Sequence, residues 1–217
     1  MSPPCLPAPP PLRQFPQERA RRTHEKLLAS AGALFMRHGY RSVQVPEIAR
    51  DAGLSVGAFY RYFDDKRAVI LELIHVVLER NRLDLAHRLD DWRARLVDGE
   101  VTSREFVEDF VRLAARHQEI PAHLLRTFVA LSYEDAEVGA LRRAYDESER
   151  HDMARFLRAT TSRERVPSPL AAARLVDMTT EEAIRWASIE GGHAAREIRS
   201  ALVNMLARYL FGDGSEG

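Results

Sequence analysis

Apolar residues recur three and four positions apart along most of this chain, a spacing that places side chains on one face of an α-helix. Glycines, prolines and capping residues divide this pattern into segments. The predicted helices cover residues 18–38, 45–52, 56–62, 66–97, 103–117, 121–132, 135–160, 169–190 and 194–211. We therefore expect an all-α protein of about nine helices.

Local signals support the ends of several of these helices. Thr102 and Glu105 form a capping box, in which each side chain satisfies a backbone N–H at the start of a helix. Ser168 precedes Pro169, and proline suits the first helical position because its missing N–H would have no partner there. A glycine pair separates the last two helices, whose apolar faces predict an antiparallel hairpin.

The most informative segment runs from Val45 to Phe63 and predicts two short helices joined by a tight turn. Gly53 tolerates the positive φ that ends the first helix, and Ser55 caps the second. Phe59 and Phe63 lie four residues apart and should face the core. The residues left to face outward or sideways are Val56, Gly57, Ala58, Tyr60, Arg61 and Tyr62. This is a helix-turn-helix, whose second helix lies in the major groove of DNA.

The segment resembles the signature of the tetracycline-repressor (TetR) family over roughly residues 20–70. The residues that carry the resemblance are Ile48-Ala49, Ala52-Gly53-Leu54-Ser55, Gly57, Tyr60-Arg61-Tyr62-Phe63 and Lys66. It implies a three-helix DNA-binding head and a larger helical domain for ligand binding and dimerisation. The chain departs from the family at Val43 and Gln44, where threonines usually cap the second helix and contact the DNA backbone.

Each candidate DNA-binding residue is chosen for the chemical contact that its side chain or backbone can make with DNA. Gly57 lets the backbone approach DNA, and Arg61 can reach a guanine edge or a phosphate. Tyr60 and Tyr62 can bind phosphates through their hydroxyls, or they can be hydrogen-bonded core aromatics. The resemblance implies that Lys66 contacts a phosphate. The full candidate set is Gln44, Ser55, Val56, Gly57, Ala58, Tyr60, Arg61, Tyr62 and Lys66, with methyl contacts expected from Val56 and Ala58 and a substitute phosphate contact from Gln44.

The chain divides into three parts on this interpretation. Residues 1–16 are proline-rich and expected to be a disordered tail. Residues 17–66 form the helix-turn-helix domain, and residues 67–217 form the helical ligand-binding and dimerisation domain. The resemblance implies a homodimer through the last two helices, which would bind a palindromic operator in double-stranded DNA.

Charge is unevenly distributed along the chain. The whole chain has 32 basic and 32 acidic side chains, but residues 1–70 have eleven basic and six acidic ones. That part therefore carries +5, and the remainder carries −5. A basic amino-terminal part is expected of a DNA-binding head. Three arginines at the start of the first helix fit either a solvated face or phosphate contacts: Arg19, Arg21 and Arg22.

Other features bear on location and chemistry. The only cysteine, Cys5, excludes an internal disulfide and fits a reducing cytoplasm. We expect a cytoplasmic protein, because no signal peptide and no run of about 18 apolar residues is present.

Glu147 and His151 are four residues apart within a charged run, where a solvated ion-pairing face is expected. Nucleotide-binding, catalytic and metal-binding motifs are absent from the sequence, so we expect no enzyme activity, cofactor or metal.

A ligand site in the helical body is implied by the resemblance alone. Its candidate residues are Trp92, Phe110, His117, Phe128, Tyr145, Met153, Met178 and Trp186, although such residues are commonly just core. A mixed aromatic and histidine set favours a small, largely apolar inducer with a few polar groups. Two alternatives stay open: an accessory or activating factor without an inducer, and a helical enzyme carrying a DNA-binding head.

Overall fold

Nine α-helices account for most of the residues that the computed structural model describes, which are 9–116 and 122–212. No strand occurs in these ranges, so the predicted all-α class is confirmed. The helices are α1 (Glu18–His38), α2 (Val45–Asp51), α3 (Val56–Phe59), α4 (Lys66–Val97), α5 (Ser103–Arg116), α6 (Ala122–Glu134), α7 (Ala136–Thr160), α8 (Pro169–Glu190) and α9 (Gly192–Phe211).

The capping residues predicted from the sequence occupy the expected helix ends. The Thr102 hydroxyl accepts a bond from the Glu105 N–H at 3.2 Å, and the Glu105 carboxylate accepts one from the Thr102 N–H at 2.8 Å. Ser168 accepts a bond from the Ala171 N–H at 3.4 Å. Gly53 has a φ of 70°, which allows the turn after α2.

Helix α3 is shorter than predicted, because it ends at Phe59 instead of extending to about residue 62. The Tyr62 N–H bonds to the Phe59 carbonyl at 2.9 Å, three residues back, so the chain tightens into a turn. The Phe63 N–H bonds to the same carbonyl at 3.1 Å. Phe59 and Phe63 are both buried, as predicted.

The first of two compact units contains the chain up to Asn81 and the segment that ends at Tyr145. Its core is formed by α1, α2, α3 and the start of α4, and Leu131 of α6 packs against it. This core holds the short α3 in place. Its buried residues are Leu27, Leu28, Ala31, Leu34, Phe35, Val43, Ile48, Ala49, Phe59, Phe63, Val69 and Ile70.

The second unit begins at Arg82 and again at Asp146, and it includes α5, α8 and α9. Phe106 lies near the middle of its core, with ring centroids 5.2 Å from Trp92, 4.6 Å from Phe156 and 5.9 Å from Phe211. Helices α8 and α9 pack against each other, and α5 packs against both. The predicted boundary after residue 66 separates a DNA-binding domain from a ligand-binding and dimerisation domain. It divides the chain by function and not by packing, and it stays a prediction.

Residues 9–16, which belong to the proline-rich segment, contact other parts of the first unit. Arg13 donates to the Tyr62 carbonyl at 2.7 Å. The ring of Phe15 lies 4.5 Å from the ring of His24, between centroids. The predicted disordered tail also includes residues 1–8, which lie outside the described residues.

Among the described residues, no helix combines the length and the apolar character that a membrane span needs.

Candidate functional site

The outer surface of α3 and of the turn that follows it is the candidate DNA-binding surface. Val56, Gly57, Tyr60 and Arg61 are exposed, and Tyr60 keeps 53% of its surface accessible. These residues are held from below by Phe59, whose ring meets that of Tyr60 edge-on at 5.5 Å between centroids. The surface is therefore fixed by a buried aromatic core and presents a guanidinium, a phenol and an aliphatic group to solvent.

The start of α3 is fixed by Ser55. Its hydroxyl accepts a hydrogen bond from the Ala58 N–H at 3.1 Å, as the sequence predicted. The Ser55 residue itself is exposed. The cap therefore sets the orientation of the exposed side chains that follow it.

The prediction that Ala58 faces outward is wrong, because only 7% of its surface is accessible. A helix of four residues has room for one inward face, and Ala58 and Phe59 both lie on it. Its predicted methyl contact with DNA is therefore not favoured by its position.

Tyr62 is half-buried against Phe15 and His24, with ring centroids 6.0 and 6.2 Å away.

Gln44 is exposed directly before α2, where the family usually has a capping threonine. The cap at this end comes from Glu47, whose carboxylate accepts a bond from the Gln44 N–H at 2.7 Å. The acidic residue three positions after the N-cap was the signal that could have identified it.

Lys66 makes contacts within the protein that the sequence did not predict. Its ammonium group donates to the carbonyl oxygens of Tyr40, Arg41 and Val43 at 3.0, 3.1 and 2.9 Å. It also lies 4.8 Å from the centroid of the Tyr40 ring. All three ammonium protons are thus directed at the loop between α1 and α2. Lys66 positions this loop, and a phosphate contact would have to share its donors.

The basic residues of the head differ in how far they are neutralised. Arg21 pairs with Glu18 and Glu25 at 2.8 and 2.6 Å, and Arg22 pairs with Glu18 at 2.7 Å. These pairs agree with the solvated charged face that was one of the two interpretations of this region. No ion pair to Arg61 is found among the described residues, so its charge is available at the outer surface of the turn after α3.

Arg67 lies next to Lys66 but belongs to a different ion pair. Its guanidinium donates to Asp135 at 2.7 Å and to Glu137 at 3.0 Å. These bonds raise the pKa of Arg67 and lower the pKa of Asp135 to about 2. Asp135 also accepts bonds from the N–H groups of Glu137 and Val138, so it caps α7 and lies just before the helix instead of beginning it. Within the first unit, this carboxylate joins the start of α4 to the start of α7.

A small cleft lies among α4, α5, α7 and α8 in the second unit. It has a volume of about 40 Å³. Two of the predicted ligand residues, Phe110 and Met153, line it together. The complete lining is Leu85, Phe110, Glu149, Arg150, Met153, Ala173, Val176 and Asp177.

The other predicted ligand residues do not line this cleft. Trp92 is buried in the core of the second unit. Tyr145 is buried in the first unit and donates to Glu79 at 3.0 Å. Phe128 also belongs to the first unit, beside Arg142. Met178 and Trp186 are 58% and 48% accessible on α8. His117 lies outside the described residues.

Polar residues of the cleft were not found from the sequence. Glu149 lies in the charged run of α7 that was expected to be a solvated ion-pairing face. Part of that expectation is confirmed, since Glu147 pairs with Arg150 at 2.6 Å and with His151 at 3.4 Å. Glu149, however, lies four residues before Met153, and this helical spacing was the available signal that it shares the inner face. In the part of the chain that the structure describes, no group of three metal-binding side chains is found.

The helix-turn-helix head matches a known protein family. The family described as "Bacterial regulatory proteins, tetR family" matches residues 27–73, which contain most of α1, all of α2 and α3, and the start of α4. The matched range includes the residues that carried the resemblance in the sequence.

Curated relatives extend the comparison beyond the head. The HTH-type transcriptional repressor KstR2 of Rhodococcus jostii is 32% identical over 121 residues, which cover 54% of this chain and 58% of that protein. The HTH-type transcriptional regulator YuxN of Bacillus subtilis is 40% identical over 57 residues, which cover 26% of this chain and 20% of that protein. The chain thus spans little more than half the length of KstR2.

Solved structures show that the whole fold is shared. A TetR-family transcriptional regulator from Mesorhizobium loti has a TM-score of 0.65 at 20% identity, covering 89% of this chain and 98% of that one. A transcriptional regulator from Saccharomonospora viridis in complex with choline has a TM-score of 0.58 at 15% identity, covering 86% and 96%. These relatives are named as regulators or repressors and not as enzymes, in agreement with the sequence. Residues 27–73 therefore match the DNA-binding head of the TetR family of bacterial regulatory proteins, and the fold is one that TetR-family regulators share.

Proposed function

We propose that this protein is a homodimeric transcriptional repressor that binds a palindromic operator and is released from it by a small molecule. The observation that carries the proposal is the exposed surface of α3 and its turn, supported by a buried aromatic core in a basic head. Such a repressor acts where the chromosome is, in the cytoplasm. No cofactor or metal is part of the proposal.

The proposed DNA contacts follow from exposure and charge. Val56 and Gly57 approach the base edges, and Arg61 donates to a guanine edge or a phosphate. Tyr60 and Gln44 are exposed polar groups that can bind phosphate oxygens, which fix the orientation on the duplex without reading sequence. Lys66 acts mainly by holding the loop before α2, so that Gln44 is presented to the backbone.

The proposed dimer interface lies on α8 and α9. Leu175, Met178, Trp186 and Ile189 follow helical spacing along α8 and are all exposed. Met205 and Tyr209, four residues apart on α9, are exposed as well. Because large apolar side chains on one face are unfavourable in water, a second copy of the hairpin would bury them in a four-helix interface.

The proposed ligand response is supported by the polar and apolar lining of the cleft. A regulator of this fold is known in complex with choline, which is a precedent for the fold and not for these residues. The cleft volume of about 40 Å³ is well below the roughly 300 Å³ of a drug-sized ligand site, so most of the ligand would need the cleft to open. This small volume favours the second candidate function, an accessory or activating factor without an inducer.

Selection from a randomised duplex library tests the DNA-binding proposal directly. The full chain is incubated with duplexes that contain a random segment, and bound sequences are recovered and read. We expect an inverted repeat whose half-sites are about one helical turn apart or a multiple of it. Recovery of single, unpaired half-sites would contradict the dimer, and recovery of no preferred sequence would contradict the operator.

A further inference from the structure

Residues 9–16 form a strap that contacts other parts of the first unit near both of its ends. Near its start, the Pro10 carbonyl accepts a hydrogen bond from Nε2 of His75 on α4 at 2.9 Å. Nε2 must be the donor, because a carbonyl oxygen can only accept. Near its end, the half-buried ring of Phe15 lies 4.5 Å from the ring of His24 on α1, between centroids. Two different helices therefore hold the strap.

The middle of the strap reaches the turn that follows α3. The Arg13 guanidinium donates to the Tyr62 carbonyl at 2.7 Å, and a bond from a charged donor is stronger than one between neutral groups. The same guanidinium lies 5.1 Å from the centroid of the Phe15 ring, which itself lies 6.0 Å from the ring of Tyr62. The strap therefore contacts both the backbone and the side chain of Tyr62.

Tyr62 directly follows Arg61, the exposed cation that is proposed to contact DNA. The peptide group before Tyr62 is held on the inner side, because its N–H bonds to the Phe59 carbonyl at 2.9 Å. The peptide group after Tyr62 is held at its carbonyl by Arg13. Burial contributes little to fixing Arg61 itself, since its side chain is exposed. The orientation of Arg61 thus depends on backbone bonds next to it, and one of them comes from the strap.

We propose that Arg13 is a positioning residue for DNA binding, which holds the Tyr62 carbonyl and so fixes the turn that presents Arg61 to the groove. This inference rests on the proposed DNA-binding function and adds a segment outside the helix-turn-helix to it. A turn that is already fixed loses less conformational freedom when DNA binds, so the affinity is higher than with a mobile turn.

A direct contact between Arg13 and a phosphate is the competing role, because the side chain is exposed and charged. The two roles differ in what they predict. A phosphate contact releases counterions, contributes to the salt dependence of binding and acts independently of Arg61. A positioning residue acts through Arg61, so its removal has little further effect once Arg61 has been replaced.

Hydrogen exchange of the full chain without DNA, followed by mass spectrometry, tests whether the strap fixes the turn. In Arg13→Ala, the peptide that contains residues 60–63 should exchange at least about fivefold faster, because the turn opens locally more often. Gln14→Ala changes an exposed neighbour in the same strap and should leave this exchange unchanged. Unchanged exchange of residues 60–63 in Arg13→Ala would overturn the positioning role.

A double-mutant cycle tests the link between Arg13 and Arg61. Fluorescence anisotropy measures the binding of a duplex recovered by selection to the unchanged protein, to each single alanine variant and to the double variant. We expect Arg13→Ala to weaken binding about tenfold, or about 1.4 kcal/mol, with an unchanged slope of log affinity against log salt. When Arg61 is already alanine, the further loss should be less than about twofold. Equal losses in both backgrounds, with a slope lowered by about one for each subunit, would make Arg13 a phosphate contact.

A third variant tests the strap without removing a charge. Phe15→Ala should loosen the end of the strap and reproduce both the faster exchange and the weaker binding. Absence of both effects would show that the strap does not hold Arg13. The failure of this inference differs from that of the proposed function: if the unchanged protein binds no duplex specifically, DNA binding itself is contradicted. If only Arg61→Ala weakens binding, the role of Arg13 alone is overturned.

Discussion

At the scale of single residues, some charged side chains make contacts that differ from those expected from the sequence. Lys66 looks like a phosphate contact but donates to three carbonyl oxygens of its own chain. Glu149 looks like part of a solvated charged face but lines a cleft. Both cases arise because a charged side chain on a helix is placed by what the rest of the fold packs around it.

Replacement of Lys66 separates its two possible roles. Lys66→Ala should lower the free energy of unfolding by about 1–2 kcal/mol, because three carbonyl groups lose a charged donor. Urea denaturation measures this loss, and Lys26→Ala, at the only other lysine of the chain and an exposed site on α1, is the matched control.

The salt dependence of DNA binding by Lys66→Ala then decides the mechanism. If Lys66 only positions the loop, affinity falls while the slope of log affinity against log salt stays the same. A slope reduced by about one would instead show a direct phosphate contact.

Burial in the cleft raises the pKa of Glu149 to about 8, and this shift predicts how stability depends on pH. The folded protein keeps a proton on Glu149 up to about pH 8, whereas the unfolded chain releases it near 4.5. Folding therefore becomes less favourable as the pH rises between these values. Glu149→Gln removes this dependence, so its Tm should match that of the unchanged protein near pH 5 and exceed it near pH 9. A Tm difference that is the same at both pH values would contradict the assigned pKa.

At the scale of elements, much of the fold follows from the sequence because local signals agree. Helix α1 has the predicted bounds, Glu18 to His38, because an apolar face and Gly39 define it together. Helix α4 begins at the predicted Lys66, where Asp65 accepts a bond from the Ala68 N–H at 2.8 Å. Ala58 was misplaced because four residues are too few for helical periodicity to show which side is inward.

The candidate sites were less predictable, since they depend on contacts between distant segments. The bond between Lys66 and the Val43 carbonyl spans 23 positions, and no local pattern indicates it. In the same way, Phe110 and Met153 meet at one cleft only because α5 and α7 pack in the second unit. Met178 and Trp186 have the same residue chemistry but lie on the exposed face of α8.

The N-cap of α3 gives a prediction at this scale. Ser55→Ala should cost about 0.5–2 kcal/mol of stability, because the Ala58 N–H loses its partner. DNA affinity should fall as well, since α3 loses its fixed start. Ser168→Ala removes the corresponding cap of α8 and is the control. Fluorescence anisotropy should show that it keeps full DNA affinity; equal affinity losses in both variants would mean that the α3 cap has no specific role in binding.

At the scale of the whole molecule, the proposal requires two copies, because one short recognition element contacts too few bases for specificity. The exposed apolar stripe of α8 is the expected contact. Ile189→Glu, at a residue that is 64% accessible, should place a like-charged pair in the interface and dissociate the dimer. Leu83→Glu, at an exposed position of α4, is the control. Light scattering coupled to size-exclusion chromatography measures the mass, and an unchanged dimer in Ile189→Glu would contradict this interface.

The central claim is that the exposed surface of α3 and its turn binds DNA, and Arg61→Ala tests it most directly. Binding of the full chain to a duplex recovered by selection is measured by fluorescence anisotropy, next to Arg158→Ala, an exposed arginine of α7. We predict that Arg61→Ala weakens binding by about 1–3 kcal/mol and relaxes the preference at one base position of each half-site. Arg158→Ala should bind like the unchanged protein. Equal affinities for all three proteins would contradict the account.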